Sequence, residues 1–197
     1  LCAHVMLEEI GVPYEIRWVE LFTQTPDQDF LAASPHCRTP ALLTPHGAIF
    51  ETGAICLYLS ERDPQMDFII PVGDQRRGSF LQWFHYLATS LQPEVIIQFH
   101  PEFYHSGSAE QRTLKKNSMA RLRTTFDALD AALADGPYFF GEKPVVPDFI
   151  LGMQTVWNVI FPDGDITAYP NIARHRGKMC SRPAVQKVLA LHRDRPR

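Results

Sequence analysis

Two groups of residues that could hold a ligand flank a predicted β-hairpin. The first is Arg38-Thr39-Pro40, just before the apolar run 41–44, and the second is Glu51-Thr52, just after the apolar run 48–50. Between the runs, Pro45-His46-Gly47 is typical of a tight turn, so the runs are predicted to be two strands. The stretch therefore joins a proline that opens a strand to a carboxylate and a hydroxyl. This combination suits a small peptide-like ligand.

Thr52 is predicted to be the N-cap of the helix that follows the hairpin. Threonine is favoured at an N-cap because its hydroxyl accepts a hydrogen bond from a free N–H of the first turn. The apolar run 54–59 supplies the body of this helix, which is predicted to end near Arg62. The N-terminus of a helix also suits an anionic group. A plain helix cap is the alternative interpretation of Thr52.

The residues before the hairpin indicate a small α/β unit. Residues 1–10 follow a helical period that glycine and proline end at 11–13, and residues 14–21 alternate polar and apolar side chains as a half-buried strand does. A short helix capped near Thr25 is predicted to end at Ser34-Pro35. A helix that begins at residue 1 without a cap leads us to expect that an earlier element is missing from the sequence.

The rest of the chain is predicted to be helical. Residues 62–74 contain two prolines and a glycine and have no period, as a linker does. Helical patterns follow over 76–100, with a kink at Pro93, over 109–134, and over three shorter segments: 147–159, 170–180 and 183–192. The predicted fold class is α/β plus all-α, with domains at 1–62 and 74–197 and a linker at 63–73.

Composition excludes several classes of protein. The net charge of −3 gives no reason to expect nucleic acid, whose binding favours a concentrated basic face. No apolar run approaches the ~18 residues of a membrane span. The four cysteines show no regular spacing and are predicted to be reduced thiols. We therefore expect a cytoplasmic protein that contacts neither nucleic acid nor membrane.

Four segments resemble the glutathione transferases. Residues 34–42, Ser-Pro-His-Cys-Arg-Thr-Pro-Ala-Leu, are similar to the family segment Asn-Pro-x-Gly-Lys-Val-Pro-Ala-Leu. Residues 51–55, Glu-Thr-Gly-Ala-Ile, are similar to its Glu-Ser-x-Ala-Ile. Residues 7–15 resemble the end of the family's first helix, and Gly141 followed by Asp148 resembles a motif of its helical domain. The order and spacing resemble those of a bacterial-type or related cytosolic member that lacks the first strand.

The resemblance implies a thioredoxin-like domain that binds glutathione and an all-helical domain that shapes a second-substrate pocket. Pro40 would be the cis-proline of the thioredoxin-like fold, and the backbone of Thr39 would pair with the cysteinyl unit of glutathione. Arg38 would reach the glycyl carboxylate, Glu51 the γ-glutamyl ammonium, and Thr52 the γ-glutamyl carboxylate. Taken singly, the charges could be solvated and the proline trans.

The catalytic group is expected just before Leu1. The family places a Tyr, Ser or Cys near the start of the first helix, where it favours the thiolate of glutathione. Alignment of Gly11 puts that position outside the sequence. Cys2 is the nearest reactive side chain, with a small buried helix residue as the alternative interpretation. Cys37, beside Arg38, is a second thiol near the predicted site, where a passive loop cysteine is the alternative.

Aromatic residues of the helical domain could line a pocket for a hydrophobic electrophile. Tyr86, Phe99 and Tyr104 are the candidate walls, although aromatic residues at helical spacing are more often core. The histidines and glutamate of the segment 100–105 match no recognised spacing of metal ligands. No metal site is predicted, and glutathione is the expected co-substrate.

The predicted activity is conjugation of glutathione to an electrophilic small molecule, as in detoxification, by a homodimer. Two alternatives remain open: a glutathione-dependent thiol–disulfide reductase or dehalogenase, and a non-catalytic binding or assembly module. Val145 stands where the family usually has a Ser or Thr helix cap, and valine cannot accept the N–H bond. Asp148 can still bond back to the helix start, so this departure concerns the stability of the helix.

Overall fold

A computed structural model describes residues 1–21, 23, 27–62 and 67–194. The chain divides into two compact units: the first is Leu1–Ile69 with the segment from Pro183 onward, and the second is Ile70–Arg182. The first unit contains α1 (Cys2–Ile10), α2 (Gln28–Ala33), β1 (Ala41–Thr44), β2 (Gly47–Phe50), α3 (Thr52–Ser60) and α9 (Pro183–Arg193). The second contains α4 (Arg77–Tyr86), α5 (Gln92–Phe99), α6 (Ser108–Ala132), α7 (Val146–Gln154) and α8 (Pro170–Cys180).

The predicted hairpin is confirmed. β1 and β2 are antiparallel, with Ala41 opposite Phe50 and Thr44 opposite Gly47. The Thr44 hydroxyl donates to the Gly47 carbonyl at 2.8 Å and accepts the His46 N–H at 3.1 Å, which closes the turn. Gly47 has a φ of 125°, a conformation that side chains other than glycine rarely adopt. The turn therefore fixes both the register and the glycine.

The predicted strand over residues 14–21 was wrong. In the described part of the chain the sheet consists of β1 and β2 alone, and residues 14–20 join no ladder. Burial still alternates between half-buried and exposed from Tyr14 to Trp18. Alternation thus reports which side chains face the protein, whereas a strand also needs a neighbouring backbone with which to pair.

Two helix starts differ from their predictions. α2 begins at Gln28, and the Asp27 carboxylate caps it by accepting the Phe30 N–H at 2.9 Å. The predicted cap, Thr25, lies outside the described residues. α3 begins with Thr52 as its first helical residue, so that Thr52 is not the N-cap.

The helix α9 packs on α1 in the first unit, whereas the sequence placed residues 183–197 with the helical domain. Lys187 Nζ donates to Glu8 Oε2 at 2.7 Å, and His192 Nε2 lies 2.7 Å from His4 Nδ1. Val188 of the same helix is fully buried. The spacing of apolar residues in α9 predicts a helix. It does not indicate that the helix packs on α1, because these contacts join distant parts of the chain.

The predicted kink at Pro93 takes the form of a wider helical turn. A π-helical turn over Leu87–Leu91 joins α4 to α5, and the Gln92 N–H bonds the Leu87 carbonyl. Proline has no N–H to offer the preceding turn, and wide turns of this kind absorb such an interruption. Leu87 and Leu91 both stay fully buried, so the helix keeps one face on the core across the interruption.

The helix α7 lies at the centre of the second unit. All of its residues are buried, including the polar Asp148 and Gln154. It ends at Gln154, and a short 3₁₀ turn over Asn158–Ile160 replaces the predicted last turn. The largest fully buried side chains of this unit are Phe80, Leu87, Leu91, Leu122, Phe126, Leu129, Leu133, Phe149, Leu151 and Phe161.

Replacing each of two glycines on neighbouring helices by alanine is expected to change the stability of the protein in opposite directions. A Cβ at Gly152 of α7 would lie 2.9 Å from Met179 Cγ, whereas a Cβ at Gly177 of α8 would meet nothing within 4 Å. We expect Gly152→Ala to destabilise the protein by about 1–3 kcal/mol, because the fully buried Met179 has little room to move. Gly177→Ala should stabilise it by roughly 0.5–1 kcal/mol through reduced backbone entropy. Urea denaturation measures both, and shifts of the same sign would contradict the close packing at Gly152.

Candidate functional site

The two predicted groups of ligand-binding residues lie at the same end of the hairpin. β1 begins at Ala41 and β2 ends at Phe50, and these two residues are paired. Residues 38–40 therefore enter, and residues 51–52 leave, the open end of one short antiparallel pair. The short spacing of the two motifs in the sequence indicates that they lie close together. The register of the hairpin places both at its open end.

The backbone of Thr39 is open to a ligand. The Thr39–Pro40 peptide bond is cis, as predicted. Thr39 is exposed, and among the described residues its N–H and C=O have no hydrogen-bond partner. A donor and an acceptor that are free beside a strand can pair with an extended peptide as one further rung of the sheet.

The N-terminus of α3 forms the other half of the open end. Glu51 occupies the N-cap, and its side chain makes no capping hydrogen bond to the helix. The Ile55 N–H is the first to reach back into the turn, bonding the Glu51 carbonyl at 3.0 Å. The N–H groups of residues 52–54 therefore point out of the helix without intrahelical acceptors, and they make a place for an anion.

Glu51 has an unusual backbone conformation, with φ at 70° and ψ at 121°. A positive φ in a residue other than glycine costs of order 1 kcal/mol or more, and such residues cluster at functional sites. The conformation turns the chain sharply from β2 into α3. It also leaves the Glu51 side chain exposed at the open end of the hairpin.

A buried serine closes the loop that carries Arg38. The Ser34 hydroxyl accepts the Arg38 N–H at 3.1 Å and donates to the Arg38 carbonyl at 2.9 Å. The Ser34 carbonyl accepts the Cys37 N–H at 2.8 Å, and Cys37 has a φ of 48°. Ser34 was expected only to end a helix and to begin the segment 34–42 that resembles the family. Its bonds to Arg38 were not predicted.

Cys2 is a buried packing residue in this structure. It lies on α1, and its Sγ is 3.3 Å from Cys56 Sγ on α3. The hydrogen bond between Cys56 and Cys2, together with burial, raises the pKa of the Cys56 thiol well above its usual value. Cys56 is therefore held as a neutral thiol at pH 7, inside the contact between two helices. Cys37 is half-buried in the loop beside Arg38.

The three candidate pocket residues lie in different local surroundings. Tyr86 is half-buried and lies edge-on to Trp83 at 5.7 Å, and Phe99 is exposed and edge-on to Trp157 at 5.5 Å. Tyr104 lines a depression of about 380 Å³ whose lining includes neither of the other two. The remaining lining residues are His105, Ala109, Glu110, Thr113, Leu114 and Asn117.

The histidines near α5 serve local contacts. His100 Nδ1 lies 2.9 Å from Glu102 Oε1, and His105 Nδ1 accepts the Gly107 N–H at 3.2 Å. Within residues 1–21, 23, 27–62 and 67–194, no three His, Cys, Asp or Glu side chains converge in a way that could hold a metal ion. In the same residues no helix is both long and apolar enough to cross a membrane.

Known proteins of similar sequence and structure cover almost the whole chain. The glutathione S-transferase GstA of Escherichia coli O157:H7 is 25% identical over 193 residues, which are 96% of this chain and 92% of that protein. A solved structure of a sphingomonad glutathione S-transferase complexed with glutathione matches with a TM-score of 0.83 at 25% identity, covering 98% of this chain and 94% of that one. A probable elongation factor 1-gamma 2 of Arabidopsis thaliana is 26% identical over 82% of this chain, which spans 39% of that longer protein.

Sequence profiles of two domains match the chain in order. The N-terminal domain profile of glutathione S-transferases covers residues 2–62, and the C-terminal domain profile covers residues 92–183. These matches confirm the predicted fold class, a thioredoxin-like domain followed by a helical one. With both domain profiles in succession along one polypeptide, the chain belongs to the glutathione S-transferase family.

Proposed function

We propose that the protein is a glutathione transferase, which binds glutathione at the open end of the hairpin and joins its sulfur to an electrophilic small molecule. The observation that carries this proposal is the meeting of two complementary backbone surfaces. One is the unpaired N–H and C=O of Thr39, and the other is the set of free N–H groups at residues 52–54.

The charges around these surfaces match the groups of glutathione. The γ-glutamyl carboxylate would lie on the N-terminus of α3 with the Thr52 hydroxyl, and its ammonium beside Glu51. The cysteinyl unit would pair with Thr39, as a short strand pairs with a sheet edge. Arg38 would bind the glycyl carboxylate. The sphingomonad relative, whose structure contains glutathione, supports this choice of ligand.

The chemical task of such a site is to keep the glutathione sulfur as a thiolate. Lowering the pKa of a thiol by one unit takes about 1.4 kcal/mol, which a single hydrogen bond to the sulfur can supply. The thiolate would then attack an electrophilic carbon of a hydrophobic second substrate, forming a C–S bond while the leaving group departs with its bonding electron pair. We propose Tyr86, Phe99 and Tyr104 as contacts of that substrate, and a cytoplasmic homodimer as the working form.

A double variant tests the site. Replacing Glu51 and Thr52 together by alanine removes the partner of the ammonium and a hydroxyl donor to the carboxylate. We expect affinity for glutathione to fall at least about 100-fold, because both lost hydrogen bonds involve a charged group and each contributes about 1.5–3 kcal/mol. The measurement is retention on immobilised glutathione.

The matched control is Glu61→Ala with Thr113→Ala, which removes the same two side-chain types from exposed positions outside the proposed site. The control should be retained like the wild type. Circular dichroism of each variant separates loss of binding from loss of fold. If the Glu51/Thr52 variant is folded and is retained as well as the wild type, the assignment of the site is wrong.

A non-catalytic binding module is the second candidate function. The similarity to an elongation factor 1-gamma favours it, and so does the outer face of the hairpin, where Leu43 is 56% and Phe50 43% exposed. Conjugation of a chromogenic electrophile would support the transferase, and reduction of a glutathione mixed disulfide would support a reductase. A protein that binds glutathione and catalyses neither reaction would be the binding module.

A further inference from the structure

We propose that Ser34 is a positioning residue: by fixing the backbone of Arg38, it determines how tightly the glycyl carboxylate of glutathione is bound. The proposal rests on the proposed function, since it concerns one end of the same ligand. It adds a residue that touches no part of glutathione and that acts through Arg38.

The hydrogen bonds of Ser34 are concentrated on one residue. Its hydroxyl uses both its donor and its acceptor on Arg38, bonding the carbonyl at 2.9 Å and the N–H at 3.1 Å. A side chain that bonds both backbone groups of one residue fixes that residue's orientation as well as its distance. Ser34 is only 3% exposed, so water cannot readily take over either bond.

Ser34 is itself anchored to the first unit through α2. Its N–H bonds the Phe30 carbonyl at 2.8 Å, at the C-terminal end of that helix. Its carbonyl accepts the Cys37 N–H, so the loop between Ser34 and Arg38 is closed by three hydrogen bonds from one residue. The buried side chain of Ser34 therefore fixes the backbone of Arg38 relative to the end of α2.

Arg38 and Thr39, the neighbouring residues proposed to contact glutathione, are held in place by different interactions. Thr39 is followed by Pro40 and then by Ala41, which is paired with Phe50 in the sheet. Arg38 lies one residue further from the sheet, and its backbone N–H and C=O bond the Ser34 hydroxyl. Loss of that hydroxyl should therefore loosen Arg38 and leave Thr39 and the α3 end in place.

This placement matters because arginine is long. A guanidinium must hold several rotatable bonds in one arrangement to bind a carboxylate with two parallel hydrogen bonds. If the backbone also moves, the ordering needed on binding increases and the affinity falls. The expected signature is a loss confined to the ligand's glycyl carboxylate.

The test compares two ligands that differ only at that carboxylate: S-methylglutathione, and its analogue with a neutral glycyl carboxamide. Isothermal titration calorimetry of Ser34→Ala should show about a tenfold loss of affinity for the first and less than about twofold for the second. Ser34→Thr, which keeps the hydroxyl, should restore binding of S-methylglutathione to within about twofold of the wild type.

Ser60→Ala is the matched control. Ser60 is a buried serine of the same unit whose hydroxyl donates to the Leu57 carbonyl at 2.7 Å, remote in sequence from the loop. It should bind both ligands as the wild type does. If Ser34→Ala weakens both ligands equally, or weakens neither, the proposal is overturned. If the wild type binds neither ligand, the proposed function itself fails and this inference falls with it.

A measurement on the wild type guards against a variant that does not fold. The Arg38 N–H bonds a buried hydroxyl, whereas the Thr39 N–H has no partner among the described residues. Amide hydrogen exchange should therefore be at least about tenfold slower at Arg38 than at Thr39, after correction for the intrinsic rates. Equal protection of the two amides would overturn the anchoring that the proposal needs.

Discussion

Replacing Asp148 by alanine is expected to lower the free energy of unfolding by about 3–5 kcal/mol. This carboxylate is fully buried and accepts three hydrogen bonds. Its Oδ2 bonds the Val145 N–H at 2.8 Å, and its Oδ1 bonds both the Phe139 N–H and His175 Nε2 at 3.0 Å. Alanine would leave all three donors without an acceptor, away from water. Since domains are stable by about 5–15 kcal/mol, much of the total would be lost.

The matched control is Asp165→Ala. Asp165 also accepts two hydrogen bonds, from the Thr167 N–H at 2.8 Å and the Thr167 hydroxyl at 2.7 Å, but at an exposed turn where water can replace it. Asp165→Ala should therefore lower the free energy of unfolding much less than Asp148→Ala does. Asp148→Asn should fall between the two alanine variants, because one of its two acceptor atoms becomes a donor facing a donor. Urea denaturation followed by circular dichroism measures all three, and equal stability of the two alanine variants would refute this assignment.

The hairpin, and the position of the proposed ligand-binding residues at its open end, could be predicted because they depend on neighbours in the sequence. A proline, two apolar runs and a glycine turn are enough to bring Thr39 and Glu51 to one end of the hairpin. The N-cap of α3 was predicted at Thr52, one residue after the observed Glu51, and the reason for this error is also local. Threonine is a favoured cap, whereas Glu51 holds the cap position through a positive φ that residue preferences do not report.

The supporting contacts could not be predicted, because they depend on long-range packing. The motif around Asp148 indicated a bond to Val145, three residues away, but nothing marked His175 as its partner. The same holds for α9, whose partner α1 lies at the other end of the chain. Ser34 is intermediate: its bonds span four residues, yet only the loop conformation brings its hydroxyl onto Arg38.

The free energy of unfolding is also expected to fall as the pH is lowered from about 6.5 to 4. His4 on α1 is half-buried, with its Nδ1 2.7 Å from His192 Nε2 on α9, and Trp18 lies edge-on to both rings. Burial, followed by the positive charges of the Leu1 amino group and of His192, lowers the pKa of His4 from 6.5 to about 4, against the opposing influence of Glu8. The folded protein therefore holds a neutral His4 in a range where the unfolded chain is protonated.

The sign follows from proton uptake. Between these two pKa values the unfolded chain binds more protons at His4 than the folded one, so protons favour unfolding and stability drops as pH falls through the window. A shift from 6.5 to about 4 would correspond to about 3.4 kcal/mol if the group were fully shielded. Because His4 is half-buried, solvent screening reduces the expected loss to about 1–2 kcal/mol.

His4→Gln isolates this contribution, since glutamine retains hydrogen-bonding groups but does not titrate. We expect the variant to be less stable than the wild type at pH 7, where the contact between the two rings is lost, and to lose less further stability on acidification. The wild type and the exposed control His85→Gln should share the steeper dependence on pH. Urea denaturation at pH 7, 5.5 and 4 gives the three curves. Parallel curves would show that His4 titrates alike in both states and that the pairing of α1 with α9 does not depend on its charge.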